Sequence, residues 1–431
     1  MKRLVTLVMV LAVLSTVTSA ATIHVPADQT SIQAGIDAAS TGDTVLVAAG
    51  TYTGSGNRDI DFGGKAITVR SADGPGTTLI DCQGSEFERH RGFRFHSGET
   101  AAAVLQGFTI MNGNAPGDVA PAPWPMGGAI CCDNSSPTIA NCRFVSNHAI
   151  NGGGGVAVVW GAHPLIKDCE FRLNTTVYGG GLYCWKNASP SVQHCVFDQN
   201  AATTHGGGAD CAFSSSPTFS YCLFSGNSAS IGGGMLCYDN SNPVLTNCTF
   251  VGNATIVGGG ISCSRSAPTL YACIIANSLP GNAISCDSPG ALVLTCCDVF
   301  GNAGGDWTEC ISGLQGVNDN LALDPRFCDL PGGKYTIRTN SPCAPGNNAC
   351  RVLIGSGDVA CSNLCGDANG DQKLNIADAV CLIIYLNLGG PTPQTLVSAD
   401  ATCDGAVDMA DVVYVLNYIF TGGPAPCATC N

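Results

Sequence analysis

Hydrophobic and polar positions alternate along most of this chain in short runs, each closed by glycine, asparagine or proline. "SPTIANCRF", "NPVLTNCTF" and "GGGISCS" are examples. A period of two over so few residues predicts short strands separated by turns, and none of these runs has helical spacing. The runs are also in register with one another. Cys142, Cys169, Cys195, Cys222, Cys248 and Cys273 recur roughly every 26 residues. Two residues after each comes Phe144, Phe171, Phe197, Phe224, Phe250 and then Ile275. Three further on stand Asn147, Asn174, Asn200, Asn227 and Asn253, with Asn277 one position early. Glycine triplets follow at 153–155, 179–181, 206–208, 232–234 and 258–260. A second cysteine column then holds Cys132, Cys184, Cys211, Cys237 and Cys263, with Val158 in the coil that lacks it. A proline closes each unit, from Pro137 to Pro268.

A fixed period of this size predicts stacked coils, one per repeat: an all-β solenoid, the parallel β-helix. Coils about 4.8 Å apart bring equivalent side chains over one another. Cys and Phe, two residues apart, point inward together. The asparagines form an amide ladder where the chain turns, and the glycines allow a tight corner. The prolines sit at strand entries, because they cannot donate to a ladder. Looser coils precede these, as in "DTVLVAAGTY" and "VLQGFTIMNG". Ile32 and Ile36 lie one helical turn apart and predict a short helix covering the open end of the column. The coils fade after about Asn302. The β-helix is therefore placed at 21–302, and 303–360 reads as an irregular, cysteine-containing end region.

Composition adds the setting. Charged residues are 12%, and the net charge is −14 with only 18 Lys and Arg. No basic surface is available for a nucleic-acid backbone, which excludes that partner. Residues 1–20 read as a secretory signal peptide: Lys2 and Arg3, an apolar stretch from Leu4 to Val17, then Thr18-Ser19-Ala20. That stretch is too short for an anchor and no second run of spanning length follows, so the expected product is a Sec-exported bacterial protein, secreted or at the cell surface, without a transmembrane segment in the mature chain. The chain has 26 cysteines. Export implies disulfides, whereas a narrow coil core suits cysteine as a small hydrophobe. The columns are read as thiols, because Val158 fills one place unchanged. Disulfides are expected in the end region, at Cys310, Cys328, Cys343, Cys350 and Cys361, and among the C-terminal cysteines.

The stretch "TIHVPADQTSIQAGIDAASTGDTVLVAAGTYTG" at 22–54 is similar to the opening of right-handed parallel β-helix proteins of the pectin-lyase-like superfamily. The F-x-x-N and G-G-[AG]-[ILV] tetrapeptides resemble the repeats of polymorphic outer membrane proteins. The resemblance covers roughly 22–345 and implies a right-handed helix of about 26 residues per coil. It leaves activity open, since that superfamily holds lyases, glycosidases, adhesins and inert stalks.

The last segment, 361–431, contains a duplication: "DANGDQKLNIAD" and "DATCDGAVDMAD". Oxygen donors recur at the spacing of a calcium loop, with a backbone carbonyl at the seventh position. They are Asp367, Asn369, Asp371, Lys373, Asn375 and Asp378, then Asp400, Thr402, Asp404, Ala406, Asp408 and Asp411. Two Ca2+ sites are expected. An apolar helix ended by glycine follows each loop. The pair is similar to type I dockerin repeats, which implies a small α-helical calcium-binding domain docking onto a cohesin-like protein. Three departures stand out. Gln372 replaces a turning glycine, Thr402 stands at the third position, and Ile376-Ala377 and Met409-Ala410 replace the hydroxyl pair of many cellulosomal dockerins.

On the coils no catalytic residue is assigned. Asp210, Asp239 and Arg265 are the candidates, with the two carboxylates three residues out of column. Asp239 and Arg265 share a column and read as an exposed ion pair. His205, before a glycine triplet, reads as solvated decoration. Trp160, Trp185, Phe213 and Tyr238 come from four successive coils, with Tyr183 beside them. They read either as a strip that binds sugar rings or as a patch covered by a loop or by the C-terminal region. Two functions are open: a non-catalytic glycan- or surface-binding protein with a dockerin-like attachment module, and a polysaccharide lyase or glycoside hydrolase tethered through that module.

Overall fold

The computed structural model describes residues 20–115, 125–255, 257–287, 292–361, 364–371, 373–393 and 396–426. The expected signal peptide, apart from Ala20, and Gln372 lie outside the described residues. Among those described, no helix is long and apolar enough to cross a membrane.

The short strands stack into three parallel sheets. Sheet A has 11 strands, from Thr22–Val25 to Val293–Thr295. Sheet B has 10, from Gly50–Tyr52 to Asp298–Phe300, and sheet C has 9, from Ile60–Asp61 to Ile284–Cys286. One coil visits A, B and C in turn, as in Leu165–Lys167, Glu170–Arg172 and Leu182–Trp185. The register is strict, so Phe144, Phe171, Phe197 and Phe224 lie over one another. Successive ring centroids lie 4.9, 4.5 and 4.6 Å apart, the first pair tilted and the other two stacked.

The first cysteine column lies at the corner between sheets A and B rather than in a strand. Asp168 takes a left-handed φ of 56° there. Cys169 follows, turned inward, with its thiol donating to the Lys167 carbonyl at 3.2 Å. Both columns are buried free thiols.

The amide ladder is complete from Asn147 to Asn253, and every member is fully buried. Asn174 shows the pattern. Its Nδ2 donates to Asn200 Oδ1 at 2.9 Å and to the Phe144 carbonyl at 2.9 Å. Its Oδ1 accepts from the Asn147 backbone N–H and from Asn147 Nδ2, both at 3.0 Å. Two donors and two acceptor sites are all used, the capacity of a primary amide. Asn277 stands outside the ladder. Ser278 takes the place in that coil, and its N–H donates to Asn302 Oδ1. Glycine is required at the next corner: Gly179 has φ 64°, and a Cβ on Gly181 would come 2.7 Å from the Gly208 carbonyl oxygen.

Helix Ile32–Ala38 closes the N-terminal end, with Ser31 as its N-cap and Ile32 and Ile36 buried against the first coils. The other end differs from expectation in two ways. The stack runs past Asn302, with Asp298 bridging to Leu321 and the Cys297 N–H reaching Asn320 Oδ1 at 2.9 Å. The end region is also more regular than its composition suggested. Strands Phe327–Asp329, Lys334–Arg338 and Val359–Cys361 form a small sheet. It doubles back so that Phe327, Ile337 and Ile354 pack on Val251, Ile274 and Ala276, the outer side of sheet B. Disulfides Cys286–Cys310 and Cys296–Cys350 tie the end region to the coils, and Cys328–Cys361 joins two strands of the small sheet. Cys343 does not join them. Its buried thiol donates to Asp298 Oδ2 at 3.2 Å.

Candidate functional site

The outer side of sheet C carries the departures from the repeat. In Leu182–Trp185, Leu182 and Cys184 enter the coil core while Tyr183 and Trp185 face outward. Register sets Tyr183 beside Asp210, and Trp185 beside Ala212 and then Tyr238.

The residue after each strand turns left-handed: Trp160 at φ 57°, Lys186 at 55°, Phe213 at 55°, Asp239 at 53° and Arg265 at 50°. Bulky side chains are uncommon in that region. Backbone bonds across coils fix them, such as the Trp160 N–H to the Trp185 carbonyl at 3.1 Å. The aromatic strip is therefore a zigzag of two columns, with Trp160 and Phe213 at corners and Trp185 and Tyr238 at strand ends. Successive ring centroids lie 4.9, 6.4 and 5.4 Å apart. Lys186 Nζ lies 4.1 Å from the Trp160 ring and 4.3 Å from that of Trp185. Arg265 sits 5.0 Å over Tyr238 and 3.4 Å from Asp239 Oδ1. Both are cation–π arrangements.

A second wall rises from the link between sheets B and C. Strands Thr175–Tyr178 and Ala201–His205 pair in parallel there. The Tyr178 ring stands 5.4 Å from His205 and 6.2 Å from Tyr183. Between this wall and the aromatic rim lies a groove of about 570 Å³. Its floor holds Asp210, only 2% exposed, whose Oδ1 has no hydrogen-bond partner. Burial pushes the Asp210 carboxyl up to about 8, so it keeps its proton at neutral pH. Burial also pulls the His205 imidazole down, favouring its neutral form.

The sequence-based candidates separate here. Asp210 is in the groove. Asp239 is at the rim, three positions beyond Leu236, the strand neighbour of Asp210. The two carboxylates do not converge, and Asp239 is held by Arg265. Tyr183 belongs to the floor, 5% exposed, rather than to an exposed strip. His205 is half-buried beside Tyr178 and Tyr238 instead of solvated decoration. Tyr178 and Lys186 were missed. Tyr178 and His205 occupy the same column, just before the glycines, so the position of His205 also marked Tyr178. The described end region packs on sheet B and contributes no lining residue to the groove.

At the C-terminal loops, Asp367, Asp371 and Asp378 present carboxylate oxygens all within 4.8 Å of one another. Backbone N–H groups orient them: Gly370 to Asp367 at 2.8 Å, Lys373 to Asp371 at 2.9 Å, Asn375 to Asp378 at 2.9 Å. Burial, and the neighbouring carboxylates with it, push Asp378 up to about 6. Such a cluster of hard oxygens fits Ca2+. Asn375 and Asp408 are N-caps, accepting from Ala377 and Ala410 at the starts of helices Ile376–Leu388 and Met409–Thr421. The Lys373 carbonyl accepts from Asn375 Nδ2 at 3.4 Å, and the Ala406 N–H donates to Asp404 at 2.9 Å. The second loop is arranged differently. Thr402 Oγ1 lies 3.2 Å from Asp400 Oδ1 and 3.1 Å from Asp411 Oδ1, bridging carboxylates whose counterparts converge in the first loop.

Comparison with known proteins agrees with these two parts. The family described as right-handed β-helix region matches 45–216, 97–275 and 202–319, and the dockerin type I domain matches 365–420. Dockerin type I domains bind calcium. No curated protein matches the chain. Among solved structures, pectate lyase Pel9A is similar at 12% identity and a TM-score of 0.47, over 80% of this chain and 98% of that one. A pectin methylesterase from carrot is similar at 11% identity and a TM-score of 0.36, over 68% and 88%. The chain thus belongs to the right-handed β-helix family and carries a dockerin type I domain behind its coils.

Proposed function

We propose that this is an exported, dockerin-bearing β-helix protein that binds glycans in the groove of sheet C and does not cleave them. The observation that carries the reading is the composition of that groove. Aromatic faces from Trp185, Phe213, Tyr238 and Tyr178 surround a single carboxylate among the described lining residues. Aromatic faces beside polar groups suit sugar rings. Glycoside hydrolysis needs two carboxylates about 5–10 Å apart, and Asp239 is engaged elsewhere. The dockerin domain, with calcium in both loops, serves as the attachment module to a cohesin-like partner outside the cell.

Retention on a polysaccharide panel tests this, with reducing ends and unsaturated products followed in the same samples. Binding that Trp185→Ala and Tyr238→Ala abolish, without turnover, is the expected result. Turnover lost in Asp210→Ala would instead make the protein a tethered lyase or hydrolase.

A further inference from the structure

We infer that the Asp210 carboxyl is the polar anchor of this groove, and that the occupant is an uncharged, hydroxyl-rich sugar. The inference rests on the glycan-binding reading above.

Asp210 is 2% exposed, lines the cavity, and leaves Oδ1 without a partner. A buried polar atom left unmatched costs stability, and a ligand hydroxyl reaching the floor supplies the match. A protonated carboxyl donates and accepts, as a hydroxyl does, so the two are complementary.

The groups that face Asp210 decide the charge of the occupant. Tyr183 stands beside it on the neighbouring strand. Tyr178 and His205 come from the wall, Tyr238 from the following coil, and Lys186 from the rim. The thiols of Cys184, Cys211 and Cys237 lie beneath the sheet in the core. Lys186 is the one cation among the described lining residues, and its ammonium is held over two indole rings. A uronate would therefore set a second acid beside Asp210 on a poorly solvated floor, which raises the cost of ionising either. The chain's net charge of −14 adds repulsion toward polyanions.

A pH dependence follows. The Asp210 carboxyl is neutral below about 8. An occupant that expels water makes the ionised form less favourable still, so affinity falls as pH rises past that value. Linkage to one proton limits the fall to about tenfold per pH unit.

Affinity electrophoresis and calorimetry of the full chain in saturating calcium test this, with xyloglucan and mixed-linkage β-glucan as neutral probes and polygalacturonate and alginate as acidic ones. At pH 6 the wild type is expected to bind a neutral probe, and to bind it at least tenfold more weakly at pH 9.5. Asp210→Asn keeps the binding and loses the pH dependence, while Asp210→Ala binds at least tenfold more weakly at pH 6. Should Asp210→Ala prove unfolded by circular dichroism, the pH profile of Asp210→Asn decides alone. A preference for the acidic probes, or an unchanged pH profile in Asp210→Asn, overturns the anchor. Neutral binding lost in Trp185→Ala but indifferent to Asp210 overturns the anchor and leaves the glycan groove standing. Retention of no probe at either pH overturns both.

Discussion

Tyr183 and Asp210 are register partners on adjacent strands of sheet C, and both are buried although they point away from the coil core. A phenol and a carboxyl side by side, flanked by Tyr178, Trp185 and Tyr238, make a groove floor that is aromatic and acidic at once. Energetically this is an unusual place for an acid, and the first prediction follows from it.

Folding raises the Asp210 carboxyl from 3.8 to about 8. A group whose folded value is raised contributes stability that is complete below the unfolded value and is lost as pH climbs through the folded one. Asp298, raised to about 6, acts in the same direction but finishes titrating earlier. His205 and His148, both pulled down by burial, act in the opposite sense until pH clears the free imidazole range, so between about pH 7.5 and 8 the remaining slope belongs mainly to Asp210, up to ~1.4 kcal/mol per pH unit. Denaturant unfolding across that window is expected to lose stability in the wild type and to be nearly flat in Asp210→Asn.

Asn200 lies inside the amide ladder and Asn277 outside it. Asn200→Ala removes the donor to the Phe171 carbonyl and the acceptor of both the Asn174 backbone N–H and one Asn174 Nδ2 hydrogen. A loss of about 3 kcal/mol or more is expected. Asn277 occupies a left-handed corner of φ 55°. Asn277→Gly keeps that corner comfortable and is expected to cost less than ~0.5 kcal/mol. Equal effects in thermal unfolding would contradict the ladder's energetic role.

Lys186 shields two indoles. Lys186→Gln should cost no more than ~1 kcal/mol, the scale of a partly exposed cation–π contact. It should also shift the tryptophan emission, because Trp160 and Trp185 lose a charge within 5 Å of their rings. A wild-type emission spectrum in this variant would refute the contact.

The two calcium loops should be unequal. Asp367→Ala is expected to remove the tighter site in calorimetry. Thr402→Asp, which replaces the bridging hydroxyl by a carboxylate, is expected to raise the affinity of the weaker site about tenfold, as one more charged ligand does. Equal affinities in the wild type would count against this reading.

Iodoacetamide followed by mass spectrometry checks the cysteine columns. Thiols such as Cys195, Cys211 and Cys237 are fully enclosed, and the neighbouring Cys184 thiol, with burial, pushes that of Cys211 well above the ordinary thiol range. No alkylation is expected in the native protein, and full alkylation in denaturant.

The repeat was legible in the sequence because a coil's neighbours in space are its neighbours at one period in the chain. Phe171 meets Phe197, and Asn174 meets Asn200, by register alone. The capping helix and the duplicated loops were legible for a similar reason, since short-range spacing specifies them. Corner geometry was read less well. The alternation that placed Cys169 in a strand could not show the left-handed Asp168 before it.

What only the tertiary structure decided are contacts that depend on how far the chain departs from its own period. His205 meets Tyr238 because the links between sheets B and C stand up as a wall. The segment that pairs Lys334–Arg338 with Val359–Cys361 turns back onto sheet B, joining Ser356 to Thr249 across 107 positions. No period encodes a return of that length. By itself the sequence determined the column and the residues that fill it. The groove and the partnerless acid at its floor came from non-repeating side chains, which pack by shape and burial rather than by register.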